Sequence, residues 1–493
     1  MAKKSSTLPL NLKGPKARMP LYRWLYDELR SAILAGRLHP GARLPATRDL
    51  AAQYGISRPT IVSAFEQLHS EGYVEGKVGS GTYVSETLPD ELLQVPGAKS
   101  TARARRHAIP LSAYARRLQP LARREPGPAR AFRASQPALD AFPMNLWAQV
   151  ATRRLRRVSA RLLAGGEALG YRPLREAVAE YLNTSRGVKC TADQVLIISG
   201  VQQALDRAAH LLLNPGDPVW MEEPGYPGAA VVFRAVGAKI CAVPVDSEGL
   251  NLEAGRRRWL QRPRLVYVTP AHQFPLGVTM SLRRRLSLLE WARRSRTIIF
   301  EDDYDSEYRY SGRPIPALQG LDRAAVVIFA GSFTDVLFPA LRLAYLVVPS
   351  DMVDIFAAAE SVSTHHPPLI DQAILCDFIR EGHFARHVRR MRELYAERLS
   401  VLAESSRERL GGLLEIPPVE AGLRTVGWLQ GGRSAERAAQ AAAKHDVEVV
   451  PLSRYAWGRV RRDGLVLGFA AVDGREIRRG VEQLARALEE ARG

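Results

Sequence analysis

Disulfides, structural zinc and membrane spans are all disfavoured by what this 493-residue chain lacks. It has only three cysteines, Cys190, Cys241 and Cys376, and they lie far apart with no Cys-x-x-Cys pair. No apolar run approaches the roughly 18 to 20 residues that a membrane span needs, and the first residues carry charge without the apolar core of a secretion signal. We therefore expect a cytoplasmic protein with no metal site and no membrane contact.

Lysine is scarce as well, although the chain is strongly basic. Its 70 Lys and Arg residues face 51 Asp and Glu residues, which gives a formal net charge of +19, yet only nine of the 70 are lysines and none lies between Lys239 and Lys444. Residues 1–135 hold 22 basic and 10 acidic residues, so +12 of the +19 falls in about the first quarter of the chain. Such an excess favours a polyanionic partner that binds near the N-terminus.

Residues 20–86 have the pattern of a winged helix domain. A helical period runs over Leu21–Leu34, a short helix is predicted over 47–54, and Gly55 supplies the turn before a second short helix. Ser57 is a candidate N-cap for that second helix. Two alternating strand-like runs around a Gly-Ser-Gly turn follow, and they predict a hairpin wing.

The run RLPATRDLAAQYGISRPTIVSAFEQLHSEGYVEGKVGSGTYV (43–84) resembles the DNA-binding domain of the GntR family of bacterial regulators over its whole length. In that architecture the second helix enters the major groove with its N-terminal residues at base edges, while the wing and neighbouring groups hold phosphates. The resemblance implies double-stranded operator DNA as the partner. The contacts that it implies are made by Arg48, Ser57, Arg58 and Thr60 from the helices and by Gly79 from the wing.

The rest of the chain divides into a linker and a larger domain. After a flexible tail (1–19) and the winged helix domain, residues 87–135 are rich in Pro, Ala and Arg and predict a basic linker. From residue 136 onwards strands that are apolar throughout alternate with helices, which predicts a largely parallel sheet covered on both faces. We expect a large part over 136–350 and a C-terminal part over 351–493.

Five motifs in the alternating region carry groups suited to a phosphate and an aromatic ring. The first follows a strand and opens a helix, so the N–H groups of Gly200, Val201 and Gln202 lie at a helix N-terminus that suits a phosphate. Together with the N-terminal domain, the motifs resemble the MocR branch of the GntR family across nearly the whole chain. They are SGVQQALD (199–206), EEPGYPGA (222–229), TPAHQFPLG (269–277), EDDYDSEYRY (301–310) and GSFTDVLFPALRLAYLVVP (331–349).

The resemblance implies a multidomain protein in which the winged helix-turn-helix is joined to an α/β fold-type I domain like that of pyridoxal 5′-phosphate-dependent transferases. It also implies a head-to-tail homodimer that uses pyridoxal 5′-phosphate as a sensor. In that family pattern Asp302 pairs with the pyridinium nitrogen, Tyr304 reaches the phenolic oxygen and Tyr226 stacks on the ring. The implied phosphate ligands are Ser332, Thr334 and Arg342.

The chain departs from the family pattern at the lysine that forms a Schiff base with the cofactor, because Asp335 stands there. A carboxylate cannot form an imine, so covalent capture of the cofactor and transamination are both expected to be lost. The lysine-free stretch 240–443 offers no substitute nearby in sequence. Other departures are a short loop at 169–175 and, where the family has Thr, Gly and a carboxylate-binding Arg, the residues Leu276, Ala344 and Val466.

These features predict a transcription regulator whose second domain dimerises and senses a small ligand without catalysis. The expected ligand is a B6 vitamer or an amine or amino-acid compound. Pyridoxal 5′-phosphate would be held non-covalently, and pyridoxamine phosphate is a further candidate because its amine could pair with Asp335. Two alternatives remain open at this stage: a transaminase with an accessory DNA-binding domain, and a regulator whose large domain is a ligand-free dimerisation scaffold.

Overall fold

The computed structural model divides the chain into two compact units, Met1–Ile109 and Pro110–Gly493. Each unit has its own buried apolar cluster, so each is a folded body in its own right. The residues that the structure describes are 19–77, 80–88, 110–118, 129–134, 136–312, 316–458 and 460–491.

The first unit consists of three helices followed by a two-stranded hairpin. The apolar face predicted for the third helix is buried: Ile61 and Leu68 are inaccessible to solvent and Phe65 is nearly so. The observed bounds agree with those predicted for the helices and the hairpin. The elements are α1 (Leu21–Leu34), α2 (Thr47–Tyr54), α3 (Arg58–Ser70), β1 (Val74–Lys77) and β2 (Gly81–Val84), the two strands being antiparallel.

The turn between α2 and α3 depends on a glycine. Gly55 ends α2 with a φ of 65°, in the left-handed region where a side chain would be strained. The chain then reverses over two residues, and α3 begins at Arg58 with Ser57 in the N-cap position. This sharp connection sets the start of α3 next to α2 on the surface of the unit.

The second unit is built on an eight-stranded mixed sheet. Its strands are β3 (Val195–Ile198), β4 (Pro218–Glu223), β5 (Lys239–Asp246), β6 (Gly249–Leu250), β7 (Leu265–Val268), β8 (Ile298–Asp303), β9 (Val327–Ser332) and β10 (Ala344–Val347), in the order β3-β10-β9-β8-β7-β4-β5-β6. The strands from β5 to β9 in the sheet run parallel, whereas β10 is antiparallel to both its neighbours and β6 is antiparallel to β5. The central strands are buried along their length, as their apolar sequences predict.

Helices connect and cover these strands, because parallel neighbours need crossover connections. Short 3-10 turns lie at Leu139–Ala141, Ala192–Gln194, Pro339–Leu341, Ser350–Met352 and Leu452–Tyr455. The helices are α4 (Ala113–Arg117), α5 (Met144–Arg156), α6 (Ala160–Leu163), α7 (Arg172–Ser185), α8 (Val201–Leu212), α9 (Pro227–Ala235), α10 (Leu252–Arg258), α11 (Leu282–Ser295), α12 (Leu318–Leu321), α13 (Val353–Ser363), α14 (Leu369–Arg380) and α15 (His383–Arg409).

A smaller antiparallel sheet completes the second unit. It has the order β11-β12-β14-β13, with β11 (Leu414–Glu415), β12 (Arg424–Leu429), β13 (Val450–Pro451) and β14 (Gly464–Gly468), and it is accompanied by α16 (Ala435–Lys444) and α17 (Gly474–Glu490). Helix α17 buries Ile477, Val481, Leu484 and Leu488 on one face, which is the amphipathic spacing of its sequence. Among the described residues no helix is long and apolar enough to cross a membrane.

The predicted linker, 87–135, extends too far towards the C-terminus. Residues 110–118 and 129–134 belong to the second unit. Phe132 is only 1% exposed and forms an antiparallel β-bridge with Gly468 of the small sheet. Its neighbours in sequence are arginines and alanines, so the composition of this stretch predicts a linker although the Phe132 ring is part of the core.

Candidate functional site

The N-terminal end of α3 carries the polar residues predicted to contact DNA. Arg58 is the first residue of α3 and is exposed, as is Ser57, whereas Thr60 is half-buried. The side chain of Arg48, near the start of α2, is 83% exposed and lies 3.5 Å from the carboxylate of Asp49. Exposed guanidinium groups at these two helix starts have the reach that base edges and phosphates require.

Ser57 takes the predicted N-cap position but does not cap α3 with its side chain. Its hydroxyl lies 2.8 Å from the Thr60 hydroxyl, and the Thr60 backbone N–H donates to the Ser57 carbonyl at 3.0 Å. The capping role predicted for Ser57 is therefore wrong, because its hydroxyl pairs with a neighbouring side chain. The two hydroxyls form one polar pair at the helix start, a pair that can serve a phosphate.

The hairpin brings two further cations to this unit. Gly79, the predicted wing contact, lies outside the described residues. Arg43 forms a β-bridge with Tyr83, and its guanidinium is 3.0 Å from the position that a Cβ on Gly81 would take. The Lys77 ammonium lies 5.1 Å from the centre of the Tyr83 ring. Sequence reasoning missed Arg43, although it opens the GntR-like run, because only the pairing with β2 reveals its place beside the wing.

The motifs of the second unit meet at one edge of the eight-stranded sheet. Tyr226 follows β4, the segment 269–277 follows β7, Asp302 lies at the end of β8, and Ser332 ends β9. These strands are parallel, so their carboxyl ends gather the motifs at one edge. The pKa of Tyr226 reflects this proximity, since burial raises it to about 12 with the help of the charges of Asp302 and Asp335.

Asp302 has one carboxyl oxygen that is bonded and one that is not. Its Oδ2 accepts a hydrogen bond from the Tyr267 hydroxyl at 2.7 Å, whereas its Oδ1 is buried without a partner in the described part of the chain. Burial raises the pKa of Asp302 to about 7, partly offset by the Tyr267 hydrogen bond. A buried carboxyl oxygen that lacks a donor fits a pyridinium N–H, so this residue suits a vitamin B6 ring.

The start of α8 forms a second polar part of the pocket. Gly200 precedes the helix with a φ of 148°, and a Cβ there would lie 3.1 Å from Nη2 of Arg342. Val201 and Gln202 supply N–H groups that have no acceptor within the helix. The Gln202 side-chain amide is buried, and neither its oxygen nor its nitrogen has a partner among the described residues. A helix N-terminus beside a guanidinium suits a phosphate.

Tyr226 and Gln202 converge on Gly228. A Cβ at Gly228 would lie 2.4 Å from Cζ of Tyr226 and 2.6 Å from Nε2 of Gln202, so only glycine leaves room for both side chains. The Tyr226 ring meets the Phe274 ring edge-on, with centroids 5.5 Å apart. The predicted stacking residue therefore lies between the start of α8 and the segment that follows β7.

Two of the hydroxyl groups predicted to hold the cofactor, those of Tyr304 and Ser332, already have partners within the protein. The Tyr304 hydroxyl donates to the His272 carbonyl at 2.8 Å, and the His272 ring is 3.0 Å from Asp305. Tyr304 must therefore exchange this bond before it can reach a phenolic oxygen. Ser332 Oγ accepts a hydrogen bond from the Thr334 N–H at 3.1 Å, which keeps both residues in one turn at the end of β9.

Asp335 lies beside a buried arginine that the sequence analysis did not single out. Nη2 of Arg424 is 3.7 Å from Oδ2 of Asp335, and the Arg424 side chain is only 3% exposed. The same guanidinium lies 4.9 Å from the Phe274 ring centre and 5.0 Å from that of Tyr304. Burial raises the pKa of Asp335 to about 6, while the charge of Arg424 opposes that rise.

Arg424 was missed because it comes from the small sheet, 89 positions away from Asp335. A buried charge of one sign calls for a partner of the other sign, so Asp335 gave the signal that some cation must be near. The sequence does not identify which of the many arginines fills that place.

Two of the other departures from the family pattern, Leu276 and Val466, belong to one small apolar cluster, whereas Ala344 lies in another. Ala344 is buried in β10 opposite Ser332, and Val466 is buried in β14 opposite Val426. Leu276 lines a cavity outside the group of predicted cofactor residues. Only Ala344 is therefore a direct neighbour of a predicted phosphate ligand.

Two families match this chain. The bacterial regulatory proteins of the gntR family match residues 21–84, and the aminotransferases of class I and II match residues 144–484. The first match covers the winged helix unit, and the second covers both sheets of the larger unit. The two observed units thus correspond to two known families joined in one chain.

Relatives with the same combination cover nearly the whole chain. The probable rhizopine catabolism regulatory protein MocR of Rhizobium meliloti is 41% identical over 96% of this chain and 94% of its own length. The pyridoxine biosynthesis transcriptional regulator PdxR of Corynebacterium glutamicum is 28% identical over 98% of both chains. Among solved structures, the α-aminoadipate aminotransferase LysN of Thermus thermophilus superposes with a TM-score of 0.71 at 30% identity, covering 77% of this chain and 97% of its own.

A regulator of this architecture combines operator binding in the first unit with an aminotransferase fold in the second. The exposed helix start and hairpin of the first unit fit the DNA-binding match, and the mixed sheet with its pocket fits the aminotransferase match. The chain therefore belongs to the MocR branch of the GntR family of bacterial regulatory proteins and is a DNA-binding transcription regulator with an aminotransferase-like domain.

Proposed function

We propose that this regulator holds a B6 vitamer in its second unit without a covalent bond to the protein, and that the bound vitamer changes its affinity for operator DNA. The chain acts as a head-to-tail homodimer that presents two copies of α3 to two half-sites. A ligand that prefers one arrangement of the dimer shifts DNA affinity by the difference in its own affinities for the two arrangements.

The DNA side of the proposal rests on the exposed polar residues at the starts of α2 and α3. Arg58 and Arg48 read base edges or hold phosphates, and the hydroxyl pair of Ser57 and Thr60 serves the phosphate backbone. Arg43, which pairs with Tyr83 of the hairpin, adds a phosphate contact beside the wing, where Gly79 is the predicted contact.

The ligand side of the proposal rests on Asp302. A buried carboxyl oxygen without a donor is costly, and a protonated pyridine nitrogen would supply the donor. The phosphate of the vitamer would lie between Arg342 and the N–H groups of Gly200, Val201 and Gln202, with Ser332 and Thr334 beside them. LysN, which shares this fold, was crystallised with N-(5′-phosphopyridoxyl)-L-leucine. These open polar atoms favour a ligand site over a ligand-free scaffold.

Non-covalent binding follows from the charges around Asp335. At 3.7 Å and an effective dielectric constant of about 20, Arg424 attracts Asp335 by about 4 kcal/mol. Asp335 would repel one phosphate charge at about 6 Å by about 3 kcal/mol. Arg424 would attract the same phosphate charge and so offset part of this repulsion, which lets the pocket tolerate an anionic ligand although the lysine of the family pattern is replaced by an acid.

Pyridoxamine phosphate is the vitamer that suits this pocket better than pyridoxal 5′-phosphate. Its amine can donate to Asp335, which the aldehyde of pyridoxal 5′-phosphate cannot do. Catalytic transamination is not expected, because Asp335 cannot form the covalent link that a lysine provides.

The test begins with the DNA. Genomic fragments retained by the purified protein are sequenced, and their affinity is measured by fluorescence anisotropy with and without pyridoxamine phosphate. Arg58→Ala should weaken binding by about 5- to 150-fold, because one base contact contributes about 1–3 kcal/mol. The control is Arg409→Ala, an exposed arginine on α15 in the other unit.

Unchanged operator affinity in Arg58→Ala would remove α3 from the DNA interface. Calorimetry with pyridoxamine phosphate tests the ligand side separately, and absence of binding there would leave the operator result intact while excluding the vitamer.

A further inference from the structure

A cavity in the larger unit is lined by none of the predicted cofactor residues, although Glu223, Pro224 and Leu276 of its lining belong to the motifs 222–229 and 269–277. Its volume is about 600 Å³, which is within the range of small-molecule sites. Its floor is one face of β5, where Ile240, Ala242 and Pro244 line the cavity, while Cys241 and Val243 between them are buried on the opposite face. Because side chains alternate along a strand, Cys241 and Val243 point into the core, while Ile240, Ala242 and Pro244 face the cavity.

Three of the seven tryptophans in the chain form the walls of this cavity, namely Trp259, Trp428 and Trp457. Trp259 is fixed because its indole N–H donates to the Ala242 carbonyl at 2.9 Å. Trp457 is held by its backbone N–H, which donates to the Glu223 carboxylate at 2.9 Å. Three flat aromatic side chains around one cavity favour a planar ring as the occupant.

The rim of the cavity is cationic. Four arginines line it, and Glu223 is the one acidic residue among the described lining residues. Arg462 pairs with Glu415 at 2.7 Å, outside the cavity lining. No described carboxylate lies within ion-pair distance of the other three, which are Arg234, Arg258 and Arg461.

The one carboxylate in the described lining already accepts hydrogen bonds from the protein. Glu223 accepts hydrogen bonds from the backbone N–H groups of Trp457 and Gly458, each at 2.9 Å to its Oε1. Glu223 is therefore held in the turn that carries Trp457. The described lining has four arginines and one carboxylate, so an anion entering the cavity meets a net positive charge.

From these contacts we propose that the cavity binds an aromatic carboxylate, with the ring between the tryptophans and the carboxylate on Arg258 and Arg461. Guanidinium groups bind carboxylates through paired, charge-assisted hydrogen bonds, and the apolar floor favours the ring. The site is separate from the vitamer pocket and gives the regulator an input for a second class of small molecule.

Three probes that share one skeleton test the proposal by calorimetry on the full-length protein: 3-phenylpropanoate, 3-phenylpropan-1-ol and 3-phenylpropylamine. The carboxylate should bind at least about tenfold more tightly than the alcohol, and the amine should not bind measurably, because only the sign of the charge differs. Tryptophan fluorescence should change on binding, since three of the seven tryptophans line the cavity. Equal binding of the three probes, or no binding of the carboxylate at millimolar concentration, would overturn the proposal.

The variants separate charge from shape. Arg258→Gln with Arg461→Gln should reduce affinity for the carboxylate by about tenfold or more and leave affinity for the alcohol unchanged, whereas Trp428→Leu should weaken binding of both.

The matched control, Arg407→Gln with Arg409→Gln, removes the same charge from an exposed part of α15 and should leave affinity for the carboxylate within about twofold. An equal loss in the control pair would show only a general charge effect. Competition by saturating pyridoxamine phosphate would show that no separate site exists. Either result contradicts the proposal.

Discussion

Two aspartates in the same pocket have opposite kinds of partner. Asp302 accepts a hydrogen bond from the neutral Tyr267 hydroxyl at 2.7 Å, whereas Asp335 lies 3.7 Å from the cationic Arg424. Burial raises the pKa of both, to about 7 for Asp302 and to about 6 for Asp335. Asp302 therefore has no cationic partner in the described protein, and a ligand can supply one. Asp335 already has a cationic partner in Arg424.

This difference refines what the sequence suggests about the pocket. Because Asp335 and Asp302 are both acidic, the sequence predicts an acidic pocket floor. In the structure, Asp335 is paired with Arg424, whereas one carboxyl oxygen of Asp302 has no partner among the described residues. Arg424 makes the replacement of lysine by aspartate tolerable, because a buried carboxylate without a cation would cost several kcal/mol. The two aspartates can thus be tested against each other by changing one partner at a time.

The largest contrast is expected when a lysine is placed at position 335. Asp335→Lys alone sets an ammonium group against Arg424, so we expect a lowered melting temperature and little covalent capture of pyridoxal 5′-phosphate. The double variant with Arg424→Gln removes the repulsion and should give a borohydride-stable adduct detected by mass spectrometry. The natural protein should give none.

The control for the adduct is Asp302→Asn in the same double background, which should reduce capture without removing the lysine. An adduct on the natural protein, mapped by peptide analysis to another lysine, would mean that Asp335 does not prevent covalent binding.

The second contrast concerns stability. Arg424→Gln leaves the half-buried Asp335 without this cation and should reduce the free energy of unfolding by about 1–3 kcal/mol, between the costs of breaking an exposed and a fully buried ion pair. Adding Asp335→Asn should recover part of this loss, because that carboxylate is then neutral, although Asp305 also interacts with Arg424. Denaturant melts of the two variants measure the difference, and an equal loss in the double variant would mean that packing, not charge, is what Arg424 contributes.

The third contrast is a dependence on pH at Asp302. Because its pKa is raised, the folded state binds the proton more tightly, so the stability contributed by the protonated group is full below about pH 4 and is lost as pH rises to about 7. Asp302→Asn should therefore unfold at a higher temperature than the natural protein at pH 8 and show no advantage at pH 4. Glu222, Glu301 and Glu307 also have raised pKa values, so the informative quantity is the difference between the two proteins. A difference that does not change with pH would contradict this role of Asp302.

The smallest contrast concerns ligand preference. Asp335→Asn removes the negative charge beside the phosphate, so affinity for pyridoxal 5′-phosphate should rise by up to about tenfold while the preference for pyridoxamine phosphate disappears. Calorimetry with both vitamers on both proteins measures the change. A preference that survives the substitution would mean that the amine is bound elsewhere.

The winged helix unit could be predicted almost completely from the sequence. Its helices, the Gly55 turn and the hairpin form within one short stretch, and local patterns decide local structure there. The Ser57 cap was the exception, because a competing hydroxyl at Thr60 takes the hydrogen bond. A hydrophobic pattern does not show which of two possible hydrogen bonds a polar side chain will make.

The second unit was predictable in its strands and motifs but not in its long-range contacts. Parallel strand ends explain why Tyr226 and Asp302 meet, and the resemblance to the MocR branch predicted that grouping. Arg424 and the insertion of Phe132 beside Gly468 were not predicted, because each depends on a pairing between distant segments. Periodicity within a segment gives no information about such pairings.

The ion pair of Asp335 and Arg424 also connects the two sheets of the second unit. Asp335 follows the last parallel strand of the large sheet, and Arg424 begins β12 of the small one, so the pair fastens the two sheets together across the pocket. A ligand amine that bound Asp335, as proposed above, would therefore compete with a residue of the small sheet for a carboxylate of the large one.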